Sequence, residues 1–576
     1  MRYTSLTKEI YTKLFASTFI IQIVNTLSFF LDFIIPGSFL GEEALSIIML
    51  TMPLLMLVEA YMDMVAMGGS NAFSTAIGAG DLPLAQRYFT ATLAGTLTVG
   101  GLILLIGWLF INPLVTLLGA DTELFALTRQ VTLISLTFFP SMPLLMCLDF
   151  FVRNDGHIKL SAASSIFFII CNIVLNIYLV GYTSWGILGA PLSSLIGTLL
   201  SMLLLIPAFF FKNTTLRFSR QARPADFFYI IRMGSGLTFK HIYHGTAILI
   251  FNNFLMSFYG MTAVVVYSIV ANVQALIIGI FDSIRECMQP LIGSYLGEKN
   301  LSGIRETVRC SRQTGILFCL LFWFLLEIMP ASALHIFGIY DAEILALCLE
   351  AIHIYAFIFP FLCFTELISS YYQFIGYPRL TFNILTIKNF VLLLPVSLLG
   401  FWLYGLTGLW MGFVCTEAIA VICCLALARR KARQQQPPLS DTLLLDTVQQ
   451  PKLLLDLPLT IEQLMQNIDQ VDAFLLKQQI PAELRGRIRL CLEEIGHNIL
   501  QHNPKKKYPR LELQLHVEDS IRLSIRDNCG SFNTELLPKK TDQPQFGLRL
   551  IRLSASDVRY IPTIGYNRTI LTFSLT

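Results

Sequence analysis

Charge is what this sequence has least of. Asp, Glu, Lys and Arg make up 14% of its 576 residues, against 55% hydrophobic residues and 44 Phe. Soluble domains carry about a quarter charged residues, so this scarcity and a mean hydropathy of +0.64 exclude an ordinary soluble protein. The formal net charge is only +3 and the basic residues gather in short loops, which excludes a folded basic surface for nucleic acid. The 12 Cys lie singly or adjacent within apolar segments, as Cys423 and Cys424 do, and read as small buried hydrophobes rather than a disulfide framework. No GxxxxGK[ST] phosphate loop is present, which argues against pumping driven directly by that ATPase motif. The first residues carry Arg2, Lys8 and Lys13 without a small-residue cleavage signal, so the following apolar stretch reads as a retained span.

What is present is a nearly continuous apolar run from Leu14 to Ala428, interrupted by the basic stretch Phe211 to Arg232. Each side repeats the same punctuation. The break at Ile77 to Asp81 returns 217 residues later at Ser294 to Glu298, Asn154-Asp155-Gly156-His157 at an offset of 220 in Phe374 to Tyr377, and Trp185 to Ala190 at 219 in Tyr404 to Leu409. Near-equal offsets argue for duplication. Windows of about twenty residues place six spans near 14–37, 44–68, 88–112, 124–148, 157–182 and 185–211. Six more follow near 232–258, 262–292, 311–330, 344–371, 380–400 and 404–428. Arg87, Arg153, Lys159, Lys212, Arg217, Arg220, Arg223, Lys299, Arg305, Arg309, Arg312, Arg379 and Arg429 to Arg433 fall on one predicted side, opposite Glu42, Glu43, Asp121, Glu123, Asp341 and Glu343. The positive-inside tendency then puts both termini and the central linker in the cytoplasm of a multi-pass bacterial inner-membrane protein.

Ionisable residues at membrane depth are costly and mark substrate or ion paths. Asp32, Glu59 and Asp63 qualify in the first half; Lys240, His241, His244, Asp282, Arg285 and Glu286 qualify in the second. Asp32 precedes Pro36 by four residues, where a helical amide is missing and carbonyls are freed. The two histidines alone do not make a metal site. With its two six-span halves, the acid at Asp32, the Gly78 to Asp81 segment, and Pro290 and Gly293 ahead of Gly297, the region from about 10 to 430 resembles the multidrug and toxic compound extrusion (MATE) family. The resemblance implies alternating access, with efflux of small amphipathic drugs or metabolites coupled to entry of a proton or Na⁺. Lys240 and the Asp282, Arg285, Glu286 cluster depart from a neutral second-half core.

Beyond Ala428 the composition changes. The reading is a first half at 1–225, a second at 226–430, a polar linker at 431–458 and a compact domain at 459–576. Within that domain Thr460 to Gln478 and Pro481 to His502 read as helices, the second placing Glu494, Asn498 and His502 along one side. Leu511 to Val517 and Ile521 to Ile525 alternate as a half-buried hairpin, and Leu571, Phe573 and Leu575 mark a last strand. A nucleotide pocket between sheet and helices suits these residues. Asn498 offers an oxygen to Mg²⁺, Asp527 an acceptor for an adenine amine, Gly530 and Gly547 room for close backbone approach, and Glu494 a general base.

The ordered set LCLEEIGHNILQH, DNCGSFN, GLRLIRL and Gly565 to Thr569 is similar to the GHKL ATP-binding family, in particular its anti-sigma serine-kinase branch. That likeness implies ATP and Mg²⁺ as cofactors, with Glu494 as base, Asn498 at the metal, and Asp527, Gly530, Gly547 and Thr569 around the nucleotide. It departs from the pattern at Cys529 and Arg549. The fold expected for the whole chain is a polytopic all-α membrane protein of twelve transmembrane helices in two six-helix repeats, with a C-terminal cytoplasmic α/β sandwich. The function expected is a cation-coupled antiporter regulated by its ATP-binding domain. The alternatives are a membrane-tethered serine/threonine kinase and a nucleotide-dependent sensor that binds an anti-sigma antagonist-like protein.

Overall fold

The computed structural model describes residues 5–120, 122–211, 214–328, 341–436, 438–439, 441–445, 453–503, 508–530 and 546–575. Asp121 and Lys212 of the charge pattern, residues 446–452 of the linker and, of the stretch Asn533 to Phe546 that reads from the sequence as a short lid, residues 533–545 lie outside the described residues.

Apolar stretches of bilayer length become helices because only intrasegment hydrogen bonds satisfy the backbone in lipid. Helix α1 (Leu6–Leu40) starts at Ser5, whose hydroxyl caps the Lys8 amide, and is followed by α2 (Glu42–Ala79) and α3 (Leu82–Leu109). The Gly-Asp break between α2 and α3 has a plain cause. Gly80 takes the left-handed conformation that ends one helix, and the Asp81 carboxylate accepts the Leu84 amide to begin the next. Next come α4 (Ile111–Leu117), α5 (Phe125–Ser135), α6 (Phe138–Asn154), α7 (Ile158–Tyr182) and α8 (Gly189–Leu205).

Helix α9 (Pro224–Gly297) has 74 residues, far more than a bilayer needs. It breaks at Gly260, where φ is 71°, and folds back so that the Phe251 and Tyr267 rings lie 5.8 Å apart. In a straight helix those residues are separated by about 24 Å. After α10 (Leu301–Ile328), α11 (Ala342–Ala356) and α12 (Phe359–Phe374) form a pair bent by 51°. Then come α13 (Pro378–Thr386), a π-helical turn (Ile387–Leu392) and α14 (Leu393–Arg433), itself broken at Tyr404 and Gly405. Among the described residues nine helical stretches are long and apolar enough to cross a membrane, ten with the bent pair, before these internal breaks are considered.

Residues at the repeat offset meet where α2 packs against α9. A Cβ on Gly78 would stand 2.0 Å from the Ser294 carbonyl oxygen, and one on Gly297 would stand 2.1 Å from that of Thr75. Gly78 and Gly297 are 219 residues apart, as are Thr75 and Ser294 and the hydrogen-bonded pair Ser70 and Gln289. Repeat-related residues therefore meet each other across a pseudo-twofold axis.

The C-terminal unit is a five-stranded antiparallel sheet in the order β1-β2-β3-β5-β4, formed by β1 (Leu453–Pro458), β2 (Arg510–Val517), β3 (Ser520–Asp527), β4 (Asp557–Tyr560) and β5 (Asn567–Ser574). Helices α15 (Ile461–Lys477) and α16 (Ala482–His502) cover one face, and α17 (Phe546–Ser554) precedes β4. β1 falls in the stretch that reads as linker, as do Leu444 and Leu445, which are buried against the membrane helices.

The expectation of a half-buried hairpin is corrected. Leu511, Leu513, Leu523 and Ile525 face α15 and α16, but the alternate residues Glu512, Gln514, Ser524 and Arg526 are buried as well, as is Arg568 beside them on β5. The reason is that the polar face lies against the ends of the membrane helices. Ile561, Ile564, Tyr566 and Ile570 belong to the same apolar core as α2 and α9.

Candidate functional site

A cavity of about 630 Å³ lies within the helical part and draws its wall from both repeats. Asp32, Glu59, Asp63, Lys240, Asp282 and Glu286 all line it, beside Met62, Met142, Met146, Phe150, Phe168 and Phe251. The thioethers and rings offer adaptable apolar contact, and the charged groups stand among them in three clusters.

Among the described residues, Asp32 on α1 is held by amides. Asn172 Nδ2 donates to both of its carboxylate oxygens at 3.1 and 3.3 Å, and Asn176 Nδ2 donates at 3.0 Å, from successive turns of α7. Asn172 is itself oriented by Ser193 and Ser194 on α8, whose hydroxyls donate to its Oδ1. A residue spacing of four puts the two asparagines on one face.

The second cluster joins the repeats. Asp63 accepts from Arg285 Nη1 at 3.2 Å and pairs with His241 Nε2 at 3.0 Å, while the other ring nitrogen of His241 is 3.3 Å from Glu59. Arg285 also reaches Asp282 at 3.1 Å, and Lys240 binds the same carboxylate at 3.1 Å. Asp63 and Asp282 are themselves repeat-related by 219 residues, so one guanidinium bridges an acid from each half. Glu286 is kept by Arg153 at 2.9 Å and by the Gln22 amide at 2.6 Å. Arg153, which by sequence falls among the loop cations of one membrane side, is buried in this pair and in a 3.6 Å contact with Asp149. Its charge serves the interior, not topology.

A third cluster is absent from the sequence reading. Lys388, in the π-helical turn, lies 2.9 Å from Glu366, 3.0 Å from Glu417 and 3.1 Å from the Thr365 hydroxyl. All three charges sit inside apolar helices, the same signal that identified Asp32. The π turn adds one residue to a helical turn and re-aims a side chain, a distortion frequent at functional sites.

In the C-terminal unit a small cavity of about 10 Å³ is lined by Ile495, Asn498, Ile499, Asn503, Asp527, Gly530, Asn567 and Thr569. Four of the expected nucleotide residues, Asn498, Asp527, Gly530 and Thr569, are thus brought together. Gly547 lies in α17, and Glu494 lies one turn before Asn498 on α16; neither is among the described residues that line the cavity. Asn498 Nδ2 donates to Glu494 Oε1 at 2.8 Å, which turns the amide oxygen of Asn498 away from that contact. Asp527 Oδ1 accepts from the Cys529 amide at 2.8 Å and from Asn567 Nδ2 at 2.9 Å. The donor set suits an adenine amine and a divalent cation, but Asn567 already offers Asp527 the amide hydrogens that an adenine amine brings.

Comparison with known proteins agrees with the helical part. The MatE family model matches residues 18–178 and 246–399, more than half of the chain. A protein of Shewanella oneidensis called FAD transporter is 24% identical over 425 residues, 70% of this chain and 90% of that protein. Multidrug export protein MepA of Staphylococcus haemolyticus is 25% identical over 272 residues, 47% of this chain and 60% of its own length. Among solved structures, a mutant of the Vibrio cholerae MATE transporter VcmN superposes with a TM-score of 0.69 at 19% identity, covering 74% of this chain and 98% of that one. With its long apolar helices, its interior cavity and these matches in sequence and shape, the chain belongs to the MATE family of multi-pass membrane transporters.

Proposed function

We propose that the protein is a cation-coupled exporter of small amphipathic compounds, built of twelve spans in two six-helix halves, with its termini and C-terminal unit in the cytoplasm. The observation that carries this reading is Asp32, an acid in the wall of a two-half cavity whose described partners are amides and not a lysine or arginine. An arginine would hold the carboxylate permanently. Two asparagines orient it and leave its charge to be met by a proton or Na⁺. A cavity of about 630 Å³ is of the size that takes a drug-like molecule.

The charge pattern also bears on the cargo. Lys240, Arg285, Arg153 and Lys388 are each committed to carboxylates, whereas Asp32 and Glu59 have only amide or imidazole partners among the described residues. The cavity therefore favours a cationic or neutral amphiphile, as in multidrug export, over an anionic nucleotide such as FAD. Reconstituted protein should drive uptake of a cationic dye under a proton or sodium gradient, and Asp32→Asn should abolish gradient dependence without loss of folded protein. Gradient-driven flux through Asp32→Asn at the wild-type rate would exclude Asp32 as the coupling acid.

For the C-terminal unit we infer binding of ATP with Mg²⁺. Asp527 and Thr569 would hold the base, Asn498 would place its side-chain oxygen on the metal, Gly530 and Gly547 would let the backbone approach, and Glu494 would position Asn498 and act as base toward a hydroxyl. Bound Mg²⁺ supplies charge neutralisation for the phosphates. Calorimetry on the full chain with Mg-ATP tests this directly.

A further inference from the structure

The polar face of the C-terminal sheet is aimed at both transporter halves at once. From β3, Arg526 forms an ion pair with Glu298, at the end of α9, and a 3.5 Å contact with Glu512 of β2. From β5, Arg568 donates to the Gly78 carbonyl at the end of α2 at 2.6 Å and lies 3.4 Å from the same Glu298. Gln514 donates to the Glu298 carbonyl at 3.1 Å, and Asn300 donates to Glu512 at 3.2 Å. At the rim, Arg522 donates to the Ala79 carbonyl and Arg559 to that of Gly80, at 2.7 and 2.9 Å. Gly78, Ala79 and Gly80 belong to the first repeat, and Glu298 and Asn300 to the second.

These contacts sit at the close crossing of Gly78 with Ser294 and of Gly297 with Thr75. Alternating access by rigid-body rocking requires repeats to part at one end and close at the other. While one sheet is bonded to both helix ends, parting them breaks either Arg526 from Glu298 or Arg568 from Gly78. Glu298 has a side-chain exposure of only 1%, so its separation from Arg526 and Arg568 leaves a buried charge without cations.

The pocket lies behind the same strands. Arg526 pairs across the ladder with Arg568, and the next pair is Asp527 with Asn567. Because side chains alternate along a strand, the arginines face the transporter and Asp527 and Asn567 face the pocket. In the docked arrangement Asn567 donates to Asp527 and to the Cys529 and Gly530 carbonyls, and the pocket holds only about 10 Å³. A ligand that takes Oδ1 of Asp527 competes for it with Asn567, the immediate neighbour of Arg568.

We propose that the C-terminal sheet is a clamp that holds the two transporter halves together at the Gly78 and Gly297 end, released when a ligand displaces Asn567 from Asp527. The clamp stands on the contacts alone; its release by Mg-ATP rests on the nucleotide reading above.

The test uses the full chain with Ser74→Cys, a buried position of α2 at the crossing, and a water-soluble maleimide read residue by residue by mass spectrometry. Buried Cys147 and Cys287 report on intact packing. In this background Glu298→Ala should label the introduced thiol at least about tenfold faster than the parent while Cys147 and Cys287 stay protected. The rim variant Arg522→Ala with Arg559→Ala, whose folding is at less risk because Arg559 is half exposed, should do the same to a smaller degree. If Glu298→Ala exposes Cys147 and Cys287 as well, the rim variant decides. Labelling of the introduced thiol as slow as in the parent, in folded variants, would overturn the clamp. Mg-ATP should also speed that labelling and, by reciprocity, Glu298→Ala should tighten Mg-ATP by a factor in the usual coupling range of about 5 to 150. Binding of Mg-ATP without any change in labelling at this position would overturn the release mechanism. Absence of binding in both chains would sink the nucleotide reading and leave the clamp to be decided by the labelling alone.

Discussion

Glu512 makes attachment of the C-terminal sheet depend on pH, in a direction opposite to the usual carboxylate. It is buried between β2 and the transporter, and burial pushes its carboxyl up to about 7 from an ordinary 4.5, with Arg526 opposing the rise and Glu298 and Asp456 adding to it. The groups facing it are Arg526 on β3, Asp456 on β1, Arg568 on β5, and Glu298 and Asn300 on the transporter. Its pKa is higher in the docked fold than in the unfolded chain, so the docked state binds more protons between about pH 4.5 and 7, and stability falls as pH rises through that window. A shift of that size corresponds to about 3 kcal/mol at about 1.4 kcal/mol per unit. The contribution is present in full below about pH 4.5 and lost above 7. Replacement of Glu512 by Gln keeps an acceptor for Asn300 and removes the titration. Thermal unfolding of the full chain in detergent from pH 5 to 8 should show the wild type losing most of this stability while Glu512→Gln stays comparatively flat and is the more stable at pH 8. Parallel pH profiles for the two proteins would refute the assignment.

Other consequences can be measured separately. Lys388→Met leaves Glu366 and Glu417 buried without their cation and should cost about 3 to 5 kcal/mol, read as a large fall in the unfolding midpoint; restoration by adding Glu366→Gln and Glu417→Gln would show that charge, not volume, is responsible. Gly78→Ala sets a methyl 2.0 Å from the Ser294 carbonyl oxygen, so the α2 and α9 crossing should widen at a cost of about 1 to 3 kcal/mol, measurable as lowered thermal stability. Asp527→Asn should weaken Mg-ATP binding by about tenfold in calorimetry, whereas Glu494→Ala should retain most of the affinity and reduce any phosphate release.

The membrane part was legible wherever one physical requirement acts on one segment. A bilayer demands long apolar runs, and the Gly80 and Asp81 pair spells a helix stop and a helix start in adjacent letters. What stayed illegible depends on partners far away in sequence. Arg153 sits at the end of an apolar helix, as a topological cation does, and only the fold shows Glu286 beside it. Asp32 stands out as an acid next to a proline, yet Asn172 and Asn176 are neutral residues whose importance comes from where α7 passes. Lys388, Glu366 and Glu417 carry the same mid-helix signal and went unread because each lies on a different element of the second half. The hairpin shows the same limit: alternation reveals that two faces differ, but water and a polar protein surface impose the same pattern on the outer one. β1 adds a further case, since Leu453 to Pro458 mixes leucine, acid and proline without a sustained period and becomes a strand only because β2 is there to pair with it.

The two sets of cross-repeat bonds lie on the same pair of helices. Asp63 and Gly78 are both on α2, separated by about 22 Å of helix; Asp63 is paired with Arg285 on α9, and the Gly78 carbonyl accepts from Arg568 of the sheet, which also lies beside Glu298 at the end of α9. The first set is made of acids and bases that line the interior cavity, where on the proposed function a bound cation would compete with Arg285, Lys240 and His241 for Asp63, Asp282 and Glu59. The second set is made of arginines that belong to the attached sheet. Rigid helices transmit a change in crossing from one end to the other, so an opening motion has to loosen both sets together. On the proposed function, cargo or ion binding would act on the first and a ligand in the sheet's pocket on the second. Neither needs to touch the other for the two to be coupled, because each biases the same choice between joined and parted α2 and α9 ends.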